Sequence, residues 1–343
     1  MVRSSTLALL VSALPSALAT YQLSADYSGQ AFFDSFDFFT GPDPTNGHVK
    51  YVSKDEANSS SLAGLMFGGN ATGAIYLGVD STTITPQGRP SIRAISSDTY
   101  NHALVIVDIL HMPGGICGTW PAFWMLGSTS DWPHAGEIDI VEGANEQPVN
   151  VMTLHTDAGV VVGNCTANMA GTLVTPNCDA NAPDQKRNAG CQVADHEYDV
   201  SFGSAFNENL GGVYAMEYTS QAIKIWFFPR GMTPEDVTAG TPDPSLWQLP
   251  NALFAGDDLD LDNHFDELQL IFDTTFCGDW AGKVWTTDSC ASKANTCEDF
   301  VTNNPDAFAD AYWAINSLKV YEDDVDSSNA RSKPKVKKSL SWW

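Results

Sequence analysis

Gly136-Glu137-Ile138-Asp139-Ile140-Val141-Glu142-Gly143 sets three carboxylates among β-branched residues, between two glycines. Ile138, Ile140 and Val141 favour an extended backbone, because side chains branched at Cβ pack well on a pleated surface. Side chains alternate along a strand, so Glu137 and Asp139 share a face. Strict alternation would send Glu142, five residues after Glu137, to the other face. One extra residue, a β-bulge near Ile140 or Val141, returns it to the same side, and bulges recur beside active sites. The octapeptide therefore predicts a row of three acids on one face of a sheet. The plainer reading is an edge strand whose charges discourage aggregation; the surrounding chain decides between them.

Two carboxylates flanking a sugar–sugar bond are the minimum for glycoside hydrolysis, and retaining enzymes hold them roughly 5–5.5 Å apart. Five residues of strand with one lost to a bulge span about 13 Å between Cα atoms. Long Glu arms leaning along the strand close much of that gap, where Asp arms could not. Clustered negative charge also raises at least one proton affinity, which leaves a proton donor available near neutral pH.

A chain of 343 residues can bury a sizeable core, in one large all-β domain or two smaller ones. Its 42 acids against 17 basic residues give a formal charge of −25, which argues against nucleic acid or an anionic membrane as partner. Residues 1–19 read as a secretory leader: Arg3 is the positive start, residues 7–14 the apolar run, and Ala17-Leu18-Ala19 the small-x-small cleavage site. No later stretch reaches the roughly 18 apolar residues of a membrane span. Cys117, Cys165, Cys178, Cys191, Cys277, Cys290 and Cys297 follow the leader, so an oxidising compartment would pair six and leave one over. The groups 165/178/191 and 277/290/297 suggest local loop staples. No C-x-x-C spacing points to zinc, and nothing else in the sequence asks for a metal or cofactor. Asn58, Asn70 and Asn164 head glycosylation sequons.

Short strands are expected at 74–79, 91–95, 102–110, 123–126, 149–155, 213–218, 222–228, 267–276 and 314–321, with a hairpin around Thr219-Ser220-Gln221. Many short strands separated by turns mean an antiparallel sandwich or barrel, not alternating β and α units. Residues 157–212 read as long excursions of the same domain. After Tyr321 an acidic run gives way to Ser, Asn and then Lys and Arg, the pattern of a disordered tail over 323–343.

Aromatic residues gather around the acids. Flat rings bury the C–H faces of sugars at small entropic cost. Trp124 and Trp132 lie within thirteen residues of Glu137 and form a candidate platform, while Trp120 reads as core. Trp280, in the glycine-flanked loop Cys277-Gly278-Asp279-Trp280-Ala281-Gly282, reads as a ligand contact. In Val151-Met152-Thr153-Leu154-His155-Thr156, alternation puts His155 on one face with Val151 and Thr153. Pairing of this strand with the acidic one through the 144–148 turn would bring His155 to Glu137 or its neighbours.

These segments resemble glycoside hydrolase family 16, in its fungal endo-1,3(4)-β-glucanase or laminarinase branch. The likeness rests on GTWPAFW (118–124), GEIDIVEG (136–143), TLHT (153–156), GGVYAMEYTS (211–220), IWFFPRG (225–231), DTTFCGDWAG (273–282) and AYWAINSLKVY (311–321). It implies a β-jelly-roll of two curved antiparallel sheets with a glucan across the concave one, in a catalytic domain over 20–322. It implies a secreted, monomeric enzyme acting on β-glucan, with Glu137 as nucleophile, Glu142 as general acid and base, Asp139 tuning the nucleophile and His155 supporting the site. Asn46, Arg93, Trp124, Trp132 and Trp280 match positions that contact glucan in similar enzymes; a strand Arg can instead simply cover a surface. A cell-wall transglycosylase or a non-catalytic glucan-binding protein are the rival functions. The chain departs from the pattern at Asp258, where similar chains often carry a cysteine, which accounts for an unpaired thiol. The 194–203 stretch fits only loosely.

Overall fold

The computed structural model describes residues 21–162, 166–256 and 259–323. The expected leader, all but the first residue of the expected tail, Asn164, Cys165 and Asp258 lie outside them. Two eight-stranded antiparallel sheets make a sandwich. The first runs in the order 172–175, 191–194, 151–155, 137–142, 119–127, 268–276, 93–96, 36–38. The acidic strand Glu137–Glu142 is thus fourth of eight, not an edge. The second sheet runs 252–255, 222–229, 212–218, 103–111, 313–323, 71–77, 63–68, with Tyr21–Asp26 also paired to Trp313–Asp323. The hairpin expected around 219–221 joins Gly212–Tyr218 to Ala222–Pro229 in full register.

The sequence dictates which face is inside. Phe123, Met125, Ile138, Ile140, Val141, Leu154, Leu270 and Phe272 from the first sheet bury against Val105, Val107, Ile109, Met216, Ile225 and Leu318 from the second. Full burial of each such side chain contributes about 1.5–3 kcal/mol, so the period-two pattern locks the register. A smaller core of Phe276, Trp285, Phe300, Val301 and Phe308 sits beneath the 278–311 loops.

Several expectations need correction. The 91–95 run is two strands: Arg89–Ser91 pairs in parallel with Val49–Tyr51, and Arg93–Ser96 joins the acidic sheet. Residues 157–212 are more than excursions, since Thr172–Thr175 and Cys191–Ala194 extend that same sheet. Cys178–Cys191 and Cys277–Cys297 are local staples, but Cys290 reaches across 173 positions to Cys117. That bridge ties the start of the Thr119–Gly127 strand to the C-terminal loops. Asn58 and Asn70 are exposed. Among the described residues no helix is long and apolar enough to cross a membrane.

Candidate active site

Ile140 is the bulged residue. Opposite the Thr119–Gly127 strand, Asp139 pairs with Trp124 and Val141 with the next residue back, Phe123, so Ile140 has no partner. Ile140 and Val141 both enter the inter-sheet core. Two consecutive inward residues return Glu142 to the face of Glu137 and Asp139. Gly136 admits the strand: its φ is +78°, and a Cβ there would lie 2.4 Å from the His264 carbonyl oxygen.

Indole N–H groups hold the two glutamates. Trp132 donates to Glu137 Oε2 at 2.9 Å, and Trp120 donates to Glu142 Oε1 at 2.7 Å. His155 is the direct cross-strand partner of Glu137, as the hairpin argument anticipates. Its Nε2 lies 3.3 Å from Asp139 Oδ2 and 3.7 Å from Glu137 Oε1. The Glu137, Asp139 and His155 ligand atoms lie within 4.8 Å of one another and could hold a cation. Asp139 is buried, and the Glu137 side chain keeps 16% of its surface.

Burial dominates the proton affinities here, because removing a carboxylate from water penalises its charged form. Burial, then the charge of Asp139, pushes Glu137 up to about 8, against the opposing pull of His155, the Trp132 N–H and Arg93. Burial and then Asp273 hold Asp139 well above the usual carboxylate range. Glu142 is also held well above it by burial and then Asp139, with Glu137 adding and the Trp120 N–H and His155 opposing. Burial raises Asp273 to about 7 despite Arg93. Glu137, Asp139 and Glu142 thus hold one another's protons on, with His155 opposing at both glutamates and Arg93 at Glu137.

Arg93 does not cover the surface. It is 4% exposed, with its guanidinium 4.9 Å from the Trp124 ring, 5.2 Å from Phe39 and 4.0 Å from Asp273. Trp124 is itself buried against Ile95, Ala122, Leu126 and Ile271, with Trp132 packed on that patch. Trp280 stands half-buried and edge-on to Trp120, ring centroids 5.6 Å apart. Trp120 therefore belongs to the site and not to the core. Exposed Asn46 donates to Asp279 Oδ2 at 2.8 Å, joining its loop to that of Trp280. Asp43 secures the same loop by accepting from Gly47 N and Thr275 Oγ1.

Sequence reasoning missed Trp120, Asp273 and Asn150. Trp120 was findable, because it precedes Trp124 by four on one strand and so shares its face. Asp273 shared a motif with Trp280 without being singled out. Asn150 carries no local signal beyond a polar residue before a strand; its side chain bonds Ile140 O and Glu142 N, both at 2.8 Å.

The XgeA-like catalytic domain of family GH16 matches residues 36–321. The chain belongs to glycoside hydrolase family 16. An endo-1,3(4)-β-glucanase of Arthroderma benhamiae is 46% identical over 306 residues, covering 89% of this chain and 65% of that one. A probable endo-1,3(4)-β-glucanase of Aspergillus niger is 42% identical, over 98% of this chain and 44% of the relative. The chain thus spans about half to two thirds of those family members. Among solved structures, laminarinase 16A of Phanerochaete chrysosporium, bound to 6-O-glucosyl-laminaritriose, is 41% identical with TM-score 0.80, over 89% of this chain and all of that one. An elongating family 16 β-1,3-glucosyltransferase is 44% identical with TM-score 0.79, over 88% and 100%. The sandwich is accordingly the family's jelly-roll.

Proposed function

We propose that the chain is a retaining endo-β-glucanase that cuts internal bonds of β-1,3- and mixed β-1,3/1,4-glucans by double displacement. The bulge at Ile140 carries this reading, since it brings Glu137 and Glu142 to one face of a central strand. Glu137, which accepts the Trp132 N–H and lies 3.7 Å from His155 Nε2, acts as the carboxylate and attacks the anomeric carbon, giving a glycosyl-enzyme ester. Glu142 keeps its proton, delivers it to the departing glycosidic oxygen, and then takes one from the incoming water. Asp139 tunes the nucleophile, and His155, with Nε2 between the Asp139 and Glu137 carboxylates, supports the site. Trp132 and Trp280 offer rings to sugar faces, with Asn46 at the rim and Arg93 beneath Trp124. Names of relatives and the glucan bound to laminarinase 16A support a glucan substrate. Three disulfides support folding in an oxidising, extracellular setting. The proposed protein is a secreted monomer.

Glu137→Gln and Glu142→Gln should each lower hydrolysis on the order of 10⁴-fold while leaving glucan binding intact. Wild-type turnover in either variant removes that residue from the pair. The resemblance to the elongating glucosyltransferase supports a second reading, in which another glucan chain replaces water as acceptor. Proton NMR of products from laminarin and barley-type glucan separates them: hydrolysis yields only shorter chains with β-anomers first, and transfer yields longer ones.

A further inference from the structure

The strand carrying the acids is incompletely paired at its business end. Its ladder with Val151–His155 covers only Glu137, Ile138 and Asp139. Beyond Asp139 the backbone polar groups on that side lack a strand partner, yet they are buried and need one. The side chain of Asn150 supplies it. Its Oδ1 accepts from Glu142 N and its Nδ2 donates to Ile140 O, so one carboxamide replaces one missing peptide unit. Gln147 holds the carbonyl of Glu142, donating to it from Nε2 at 3.2 Å and to Val149 O at 2.8 Å.

Asn150 is itself fixed. It is fully buried; its N–H donates to Ser201 Oγ at 3.1 Å and its carbonyl accepts from Asp195 N at 2.9 Å. Ser201 O in turn accepts from the hydroxyl of Tyr214, a residue of the opposite sheet. A rigid path therefore runs from the second sheet to the backbone of Glu142.

We infer that Asn150, assisted by Gln147, is the positioning residue that keeps the bulge formed and Glu142 aimed at the glycosidic oxygen. Without it, Ile140 O and Glu142 N become buried orphans, and a relaxed strand would rotate Glu142 away from Glu137. The inference rests on Glu142 being the acid and base.

The test compares two substrates by kcat/KM, which reports the bond-breaking step. Laminarin has a sugar leaving group that needs a proton; 2,4-dinitrophenyl β-laminaribioside has a phenolate that leaves without one. Asn150→Ala should lose about 100-fold on laminarin but less than about fivefold on the aryl glycoside, the signature of impaired acid catalysis. Azide, which attacks the ester without a base, should restore kcat on the aryl glycoside. Gln147→Ala should show the same pattern, more weakly. Asn150→Ser keeps a small polar group but cannot reach Glu142 N and Ile140 O together as the carboxamide does; it serves if the alanine variant fails to fold, and should show the same selective loss. Equal losses on both substrates, or no loss on laminarin, overturn the inference. Glu142→Gln is run alongside. If it is selective and the Asn150 variants are not, the clamp alone is wrong. If it shows no selectivity, the role of Glu142 is wrong.

Discussion

Replacing Glu137, the proposed nucleophile, should stabilise the protein, and only above acidic pH. Glu137 rises from an ordinary 4.5 to about 8 in the folded chain, chiefly through burial. A raised folded value means that the neutral form is the one the fold accommodates. The group's contribution is complete below its unfolded value near 4.5 and is lost progressively as pH climbs through about 8. At pH 7 the loss attributable to Glu137 is about 3 kcal/mol at most, at roughly 1.4 kcal/mol per pH unit. Water reaching its partly exposed carboxylate trims that figure. Glu137→Gln preserves the acceptor for the Trp132 indole and removes the titration. For a domain near 300 residues the gain corresponds to about 5 °C in Tm. Differential scanning calorimetry of both proteins at pH 4 and pH 7.5 checks it, comparing variant with wild type at each pH so that the many surface acids cancel. The expected result is a difference near zero at pH 4 and a stabilised variant at pH 7.5. An equal difference at both, or a less stable variant at pH 7.5, refutes the argument that burial strains this carboxylate.

Other outcomes follow from the same geometry. His155→Gln removes a group that lowers the affinity of Glu137 and Glu142 for protons, so the acidic limb of the pH–rate profile should move to higher pH; an unmoved limb detaches His155 from the acids. Trp280→Ala should raise KM by up to about tenfold, in line with the roughly 0.5–1.5 kcal/mol of an aromatic contact, with little change in Tm; collapse of folding would make it a core residue. Removing the 173-residue link with Cys117→Ser and Cys290→Ser should destabilise the fold by up to about 5 kcal/mol in urea unfolding, whereas breaking Cys178–Cys191 should cost about 3 kcal/mol.

Much of this was written in short-range pattern. The bulge was legible because two glycines and three β-branched residues left few ways to put both glutamates on one side. Strand candidates at 102–110, 213–218, 222–228 and 267–276 lie within a residue of the observed strands, since they are long and apolar enough to be buried on at least one face. Short or polar strands such as 36–38, 172–175 and 191–194 were not, because pairing partners far away in sequence define them. Trp120 was misread for a related reason: residue type alone does not say which side of a sheet a ring occupies. The Cys117–Cys290 bridge and the Asn150 clamp were beyond reach, as each joins segments whose proximity exists only after folding.

The bulge is held from two directions at once, which explains how three acids persist on a central strand. From below, Ile140 and Val141 bury side by side in the core, so straightening the strand would expose one of them. From the side, the Asn150 amide satisfies the backbone groups that the irregularity leaves unpaired. Apolar burial fixes which way Glu142 faces, and the amide fixes where along that face its backbone lies. Repulsion among the acids presses against both constraints as pH rises, because each step toward ionisation adds charge in a site poor in water. Core and clamp therefore resist the same strain that keeps a proton on Glu142, and weakening either should loosen the acid before it unfolds the sheet.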